Sequence, residues 1–162
     1  MAIAKALVRY VGERSLLGKS DSNHWIAMDS PPEHGQPSAA NNPSQLLLIA
    51  CAGCVTIDTI SILTKGRQDV RRLEIEILAL RRDVPPKIVR QLEYHVQIDG
   101  PLLTEDKVRR AVELSLTKYC SVSLSLDRST RFFAQITLNG DAGERWEIPR
   151  DPMLFEAVPG QD

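Results

Sequence analysis

Residues 42–66 read NPSQLLLIACAGCVTIDTISILTKG. Pro43 stands where a first helical residue belongs, Asn42 precedes it as an N-cap, and Gly66 follows as the residue that closes a helix. Between these signals the chain can form one helix of about 22 residues. From Leu46 to Leu63 apolar side chains fall on nearly every face, so this helix must be buried within the molecule or in a subunit interface. The longest apolar run, Leu46 to Val55, is only about half of the roughly 20 residues that a spanning helix needs. With no basic segment and apolar run at the N-terminus, the chain reads as a soluble, cytoplasmic protein with no membrane partner.

On the N-terminal side, residues 2–10 alternate small side chains with longer ones, the period-2 pattern of a strand. His24 to Met28 is a second short strand, and the polar, glycine-containing stretch between the two suggests a hairpin-like connection. Residues 30–42, with Pro31, Pro32, Gly35 and Pro37, form a loop. On the C-terminal side, Leu73, Ile75 and Ile77 alternate with glutamates, and Leu92, Tyr94, Val96 and Ile98 alternate with Glu93, His95 and Gln97. Both read as half-buried antiparallel strands. Asp99-Gly100-Pro101 turns the chain, and Thr104 caps a second helix with Glu105 and Asp106 in its first turn and an apolar stripe of Val108, Ala111, Val112 and Leu116. Val122, Leu124 and Leu126 alternate with serines as another strand would, and Phe133 to Leu138 makes a last one. From Asp141 the chain is expected to be a tail or arm. Strands, long helix, strands, helix and strands in that order predict an α+β fold.

Composition excludes more than it selects. The 162 residues suit one domain, and 20 basic against 21 acidic residues leave a net charge of -1, with no field to attract nucleic acid. Aromatic residues make up 5%, too few for a platform of stacked bases. Three cysteines, Cys51, Cys54 and Cys120, are too few and odd in number for a secreted disulfide framework, so reduced thiols are expected. Cys51-Ala52-Gly53-Cys54 is a C-x-x-C, but it lies well inside the helix, where the dipole that activates a thioredoxin-type cysteine has faded. Zinc would need a second ligand pair, and Cys120, His24, His34 and His95 supply none, so no metal is expected. No G-x-S-x-G turn or Gly-rich phosphate loop is present. The arginines on the strands and second helix read as solvated faces.

Asn42-Pro43-Ser44-Gln45-Leu46-Leu47-Leu48, Ala52-Gly53-Cys54, Ile57-Asp58 and Leu63-Thr64-Lys65-Gly66-Arg67-Gln68, with Tyr119-Cys120-Ser121-Val122 downstream, resemble the two cysteine motifs of the OsmC/Ohr family, the osmotically inducible and organic hydroperoxide resistance proteins. The likeness runs over roughly residues 1–138 and is nearer to the less characterised OsmC-like branch. It implies an OsmC-like domain over residues 1–140 with a tail at 141–162, in which antiparallel sheets enclose the long buried central helix of an intertwined homodimer. It also implies a thiol-dependent peroxidase for organic hydroperoxides, active in oxidative stress defence. Cys54 would be the peroxidatic thiol and Cys120 the resolving thiol, with an activating arginine from the N-terminal strand region, where the chain offers Arg9 and Arg14 and Arg14 is the one preferred. Cys51 matches neither thiol role. No bound cofactor is implied, only an external dithiol reductant. The peroxidases resembled carry a Glu just after the helix proline, where this chain has Ser44 and then Gln45. That departure keeps open a second expectation, a non-catalytic OsmC-like protein that binds a small apolar ligand or a partner and whose cysteines are structural or redox-sensing.

Overall fold

The computed structural model describes residues 3–30 and 38–150, and the chain forms two compact units, Met1–Leu48 and Ile49–Asp162. The first holds a three-stranded antiparallel sheet of order β1-β2-β3, made of β1 (Ala6–Gly12), β2 (Ser15–Ser20) and β3 (Ile26–Asp29). The strand β2 is absent from the sequence reading because Ser15-Leu16-Leu17-Gly18-Lys19-Ser20 does not alternate. The turn comes earlier than expected, at Gly12 and Glu13, which take positive φ of 130° and 48°. His34 and the prolines around it lie outside the described residues.

The long helix α1 (Pro43–Lys65) starts in the first unit and continues into the second. Its predicted ends hold. The Gln45 backbone N–H donates to Asn42 Oδ1 at 3.0 Å, and the Asn42 N–H donates to Gln45 Oε1 at 2.8 Å, a reciprocal capping box. Gly66 and Gln68 close the other end on the carbonyls of Ile62 and Leu63. Within the single chain only one stripe of α1 is buried: Cys51, Val55, Thr59 and Leu63, four residues apart each. Leu47, Ile49 and Ile57 are exposed. By length and composition alone the helix could cross a bilayer, a test that core helices also pass.

The second unit is built on a sheet of order β4-β5-β6-β7, with β8 also paired to β6. Here β4 (Arg72–Arg81) and β5 (Val89–Asp99) are antiparallel as predicted, with Leu73, Ile75 and Ile77 opposite Ile98, Val96 and Tyr94. After β5 the chain passes through α2 (Glu105–Leu114), a π-helical turn (Ser115–Tyr119) and α3 (Ser121–Leu124) before β6 (Arg131–Leu138). Such a crossover lets β6 run parallel to β5, so the α+β expectation stands with a mixed sheet. Val108, Ala111, Val112 and Leu116 are fully buried, as are Leu92, Tyr94, Ile98 and Phe132 from β5 and β6.

Two expectations fail here. Residues 122–126 do not form a strand: the buried member of the segment is Ser123, the reverse of an apolar-in alternation, and α3 is capped by Cys120, whose sulfur accepts the Ser123 N–H at 3.4 Å. The expected tail from Asp141 instead begins with β7 (Asp141–Ala142) and β8 (Trp146–Ile148), which pair with β6. Trp146 and Ile148 are buried, and Arg131 grips Glu147 through two bonds of 2.9 and 2.6 Å. Residues 151–162 lie outside the described part.

Candidate functional site

Two local accidents of the chain meet in the second unit. On α1, Cys54 and Asp58 are four residues apart and so share a helix face. Cys120 sits at the joint between the π-helical turn and α3, where the Cys120 N–H closes the turn on the Ser115 carbonyl at 2.8 Å. The Cys54 Sγ, the Cys120 Sγ and an Asp58 carboxylate oxygen all lie within 4.8 Å of one another. Cys54 and Asp58 are half-buried, whereas Cys120 is buried. All three cysteines are free thiols.

Asp58 and Cys120 are each held by hydrogen bonds. Ser115, itself buried, donates from Oγ to Asp58 Oδ2 at 2.7 Å. The Cys120 thiol donates to Ser123 Oγ at 3.1 Å, and the Tyr94 hydroxyl shares a 2.8 Å hydrogen bond with that same oxygen. The Ser123 hydroxyl thus serves both Tyr94 and Cys120.

Burial governs the electrostatics. It pushes the Cys120 thiol up to about 11, the Ser123 bonds pull in the opposite direction, and a hydrogen bond with Cys54 adds to the rise. Cys51 is likewise raised, first by burial and partly offset by Ser123. Burial also raises the Tyr94 phenol, which stays neutral as a hydrogen-bonding post. Cys51 thus has the environment of an inert packing thiol.

Of the residues singled out from sequence, Cys54 and Cys120 come together. Arg14 lies in the first unit, where its Nη2 is 4.0 Å from Asp29 Oδ2 and its Nη1 is buried without a hydrogen-bond partner among the described residues. Gln45, in place of the expected carboxylate, has its side-chain oxygen in the helix cap. His95 pairs with Glu93 at 3.0 Å, away from the thiols in the hydrogen-bond network. Sequence reasoning missed Asp58 and Ser123 as site residues. The four-residue step from Cys54 to Asp58 was a usable signal, whereas Ser123 had none beyond its place three residues after Cys120. A search for ligand pairs along the chain also misses the grouping of Cys54, Asp58 and Cys120, because its third member comes from a different element.

A cavity of about 510 Å³ opens elsewhere in the unit, lined by Arg110, Glu113, Leu114, Thr117 and Pro149, and contains none of the thiols.

The chain is similar to known proteins in sequence and in fold. The family model of OsmC-like proteins matches residues 34–133, a span that includes both Cys54 and Cys120. Protein YhfA of Escherichia coli strain K12 is 39% identical over 125 residues, which cover 77% of this chain and 90% of that protein. The crystal structure of a hypothetical protein from Aquifex aeolicus VF5 is similar with a TM-score of 0.70 and 26% identity, over 86% of this chain and 99% of that one. An organic hydroperoxide resistance protein OsmC from Legionella pneumophila, 15% identical, shares the fold with a TM-score of 0.61 over 84% of this chain and 97% of that one. With the family model matched over residues 34–133 and a relative 39% identical over 77% of the chain, the chain belongs to the OsmC-like protein family.

Proposed function

We propose that the protein is a thiol-dependent peroxidase that reduces organic hydroperoxides in the cytoplasm, with Cys54 as the attacking thiol and Cys120 as the resolving one. The observation that carries this reading is the placement of a half-buried Cys54 sulfur within 4.8 Å of a buried Cys120 sulfur. The half-buried thiol is the one a substrate can reach, and the buried one is sheltered beside it.

The chemistry balances with these groups. The Cys54 thiolate attacks the outer oxygen of the hydroperoxide, the O–O bond breaks, and the alkoxide leaves as the alcohol after taking a proton. Cys54 becomes a sulfenic acid. The Cys120 sulfur then attacks the Cys54 sulfur, the S–OH bond breaks, and water leaves with the Cys120 proton. Two electrons have passed from the two sulfurs to the peroxide, and an external dithiol returns them by exchange with the Cys54–Cys120 disulfide. The high Cys120 pKa suits its role, because a protonated thiol does not compete for peroxide. Asp58 lies where it can accept the Cys120 proton during resolution.

The test is to treat reduced protein with one equivalent of an alkyl hydroperoxide and map disulfides by mass spectrometry. The reading expects consumption of hydroperoxide and a Cys54–Cys120 disulfide, both abolished by Cys54→Ser. Hydroperoxide that persists while both thiols stay reduced would overturn it. That result would favour a binding protein for a small apolar ligand or partner, the reading supported by the use of Gln45 in the helix cap instead of a carboxylate near the site.

A further inference from the structure

The geometry points to a second use of the same thiols: we infer that Cys54, Asp58 and Cys120 form a binding site for a thiophilic divalent cation of the zinc class, which excludes the disulfide while it is bound. The three candidate ligand atoms already lie within 4.8 Å of one another. In a tetrahedral zinc site, with Zn–S about 2.3 Å and Zn–O about 2.1 Å, ligand atoms are roughly 3.6–3.8 Å apart. Each separation therefore has to shrink by no more than about 1 Å, within reach of side-chain rotation.

The donor set and its surroundings fit such an ion. Two thiolates and one carboxylate suit a borderline-soft cation better than Mg²⁺ or Ca²⁺, which take oxygen ligands. Ligands that hold metals are oriented by a second layer of hydrogen bonds, and two of these three have one. Ser115 Oγ fixes Asp58 Oδ2 at 2.7 Å and leaves its other oxygen to ligate, while the Ser123 N–H and hydroxyl fix Cys120 Sγ. Cys54 and Asp58 present from one helix face at the four-residue spacing that places two ligands side by side. Three protein ligands leave a fourth position for water, as in zinc sites that are not purely structural.

Loading the site forms two S–metal bonds and one O–metal bond, and the two thiols release their protons to solvent. Cys54 and Cys120 cannot then join to each other, because the sulfur lone pairs that would form the disulfide are held by the metal. The converse also holds: a Cys54–Cys120 disulfide removes two of three ligands. The inference does not depend on peroxidase activity, since it requires only the reduced chain.

The experiment uses the full chain, reduced and stripped with chelator, titrated with Cd²⁺ while the ultraviolet thiolate-to-metal charge-transfer band is recorded, and with Zn²⁺ in competition with a chromophoric chelator. One ion per chain is expected. In Cys54→Ala, a change at a half-buried position, the Cd²⁺ band should fall by about half as one of two thiolate ligands is lost. Asp58→Asn and Ser115→Ala should each weaken Zn²⁺ at least about tenfold. Circular dichroism verifies that each variant is folded. A missing band, a band of undiminished strength in Cys54→Ala, or Zn²⁺ affinity unchanged in folded Asp58→Asn would each overturn the site. A silent hydroperoxide assay beside normal metal binding would overturn only the peroxidase reading.

Discussion

The Ser123 hydroxyl is shared between Tyr94 and Cys120, both of them buried. Removing it leaves a buried phenol and a buried thiol without their partner, and an orphaned buried donor costs about 1–3 kcal/mol. Ser123→Ala should therefore lower stability by about that amount, read as the shift in a urea unfolding midpoint. An unchanged midpoint would show that the hydroxyl does not hold the thiols in place. Glu93 gives the second prediction at this scale. Burial works against its charge, but hydrogen bonds from His95 and from Arg145, at 3.0 and 2.9 Å, outweigh burial and lower its pKa. A carboxylate with a lowered native pKa stabilises the fold at pH above its unfolded value and loses that contribution as pH falls through the native one. The stability gap between wild type and Glu93→Gln should be widest near neutral pH and close on acidification below the usual glutamate range, followed by thermal unfolding at a series of pH values. A gap that stays constant with pH would refute the assignment. Neither residue stands out in the sequence: Glu93 looks like any polar member of an alternating strand, and its partner Arg145 is on a loop with no pattern to link the two.

Elements were legible where local signals agreed with long-range packing. The ends of α1 follow from Asn42-Pro43 and Gly66, and the register of β4 on β5 follows from their alternation. Legibility failed at α3, where Val122, Leu124 and Leu126 imitate a strand but Cys120 caps a helical turn and buried Tyr94 selects Ser123 as the inward residue. It failed again at β7 and β8, because short edge strands carry too few residues to show a period. The turn that ends β5 was read correctly, and its glycine is required for a steric reason. A Cβ on Gly100 would meet the Asp69 carbonyl oxygen at 2.2 Å and Leu103 Cδ1 at 2.7 Å, while Asn139 clamps the Gly100 backbone on both sides, at 2.9 and 3.2 Å. Gly100→Ala should cost about 1–3 kcal/mol as overpacking forces the turn open. A urea unfolding midpoint left unchanged by Gly100→Ala would refute the steric argument.

For the whole molecule, the open question set by the sequence is what covers a helix that is apolar all round. Within one chain the answer is one stripe, which leaves Ile49 and Ile57 at 54% and 68% exposure. A bilayer could cover the rest, but it would also have to take Asp58 near mid-helix, at a cost of about 2.5–3.5 kcal/mol, and Asp58 is already committed to Ser115. A second copy of the chain covers the same side chains without that cost and keeps the thiol group in a protein environment, so a homodimer formed through α1 is the assembly we propose. Large exposed apolar faces of this kind mark interfaces. The protein should run as a dimer in size-exclusion chromatography with light scattering, without detergent. Placing a charge at the centre of the contact, Ile57→Lys, should weaken the dimer by at least about tenfold, while the circular dichroism spectrum of the second unit is retained, because Ile57 is exposed and lies outside the buried stripe of α1. A wild-type protein that is monomeric at high concentration, or a dimer indifferent to Ile57→Lys, would place the cover for α1 elsewhere.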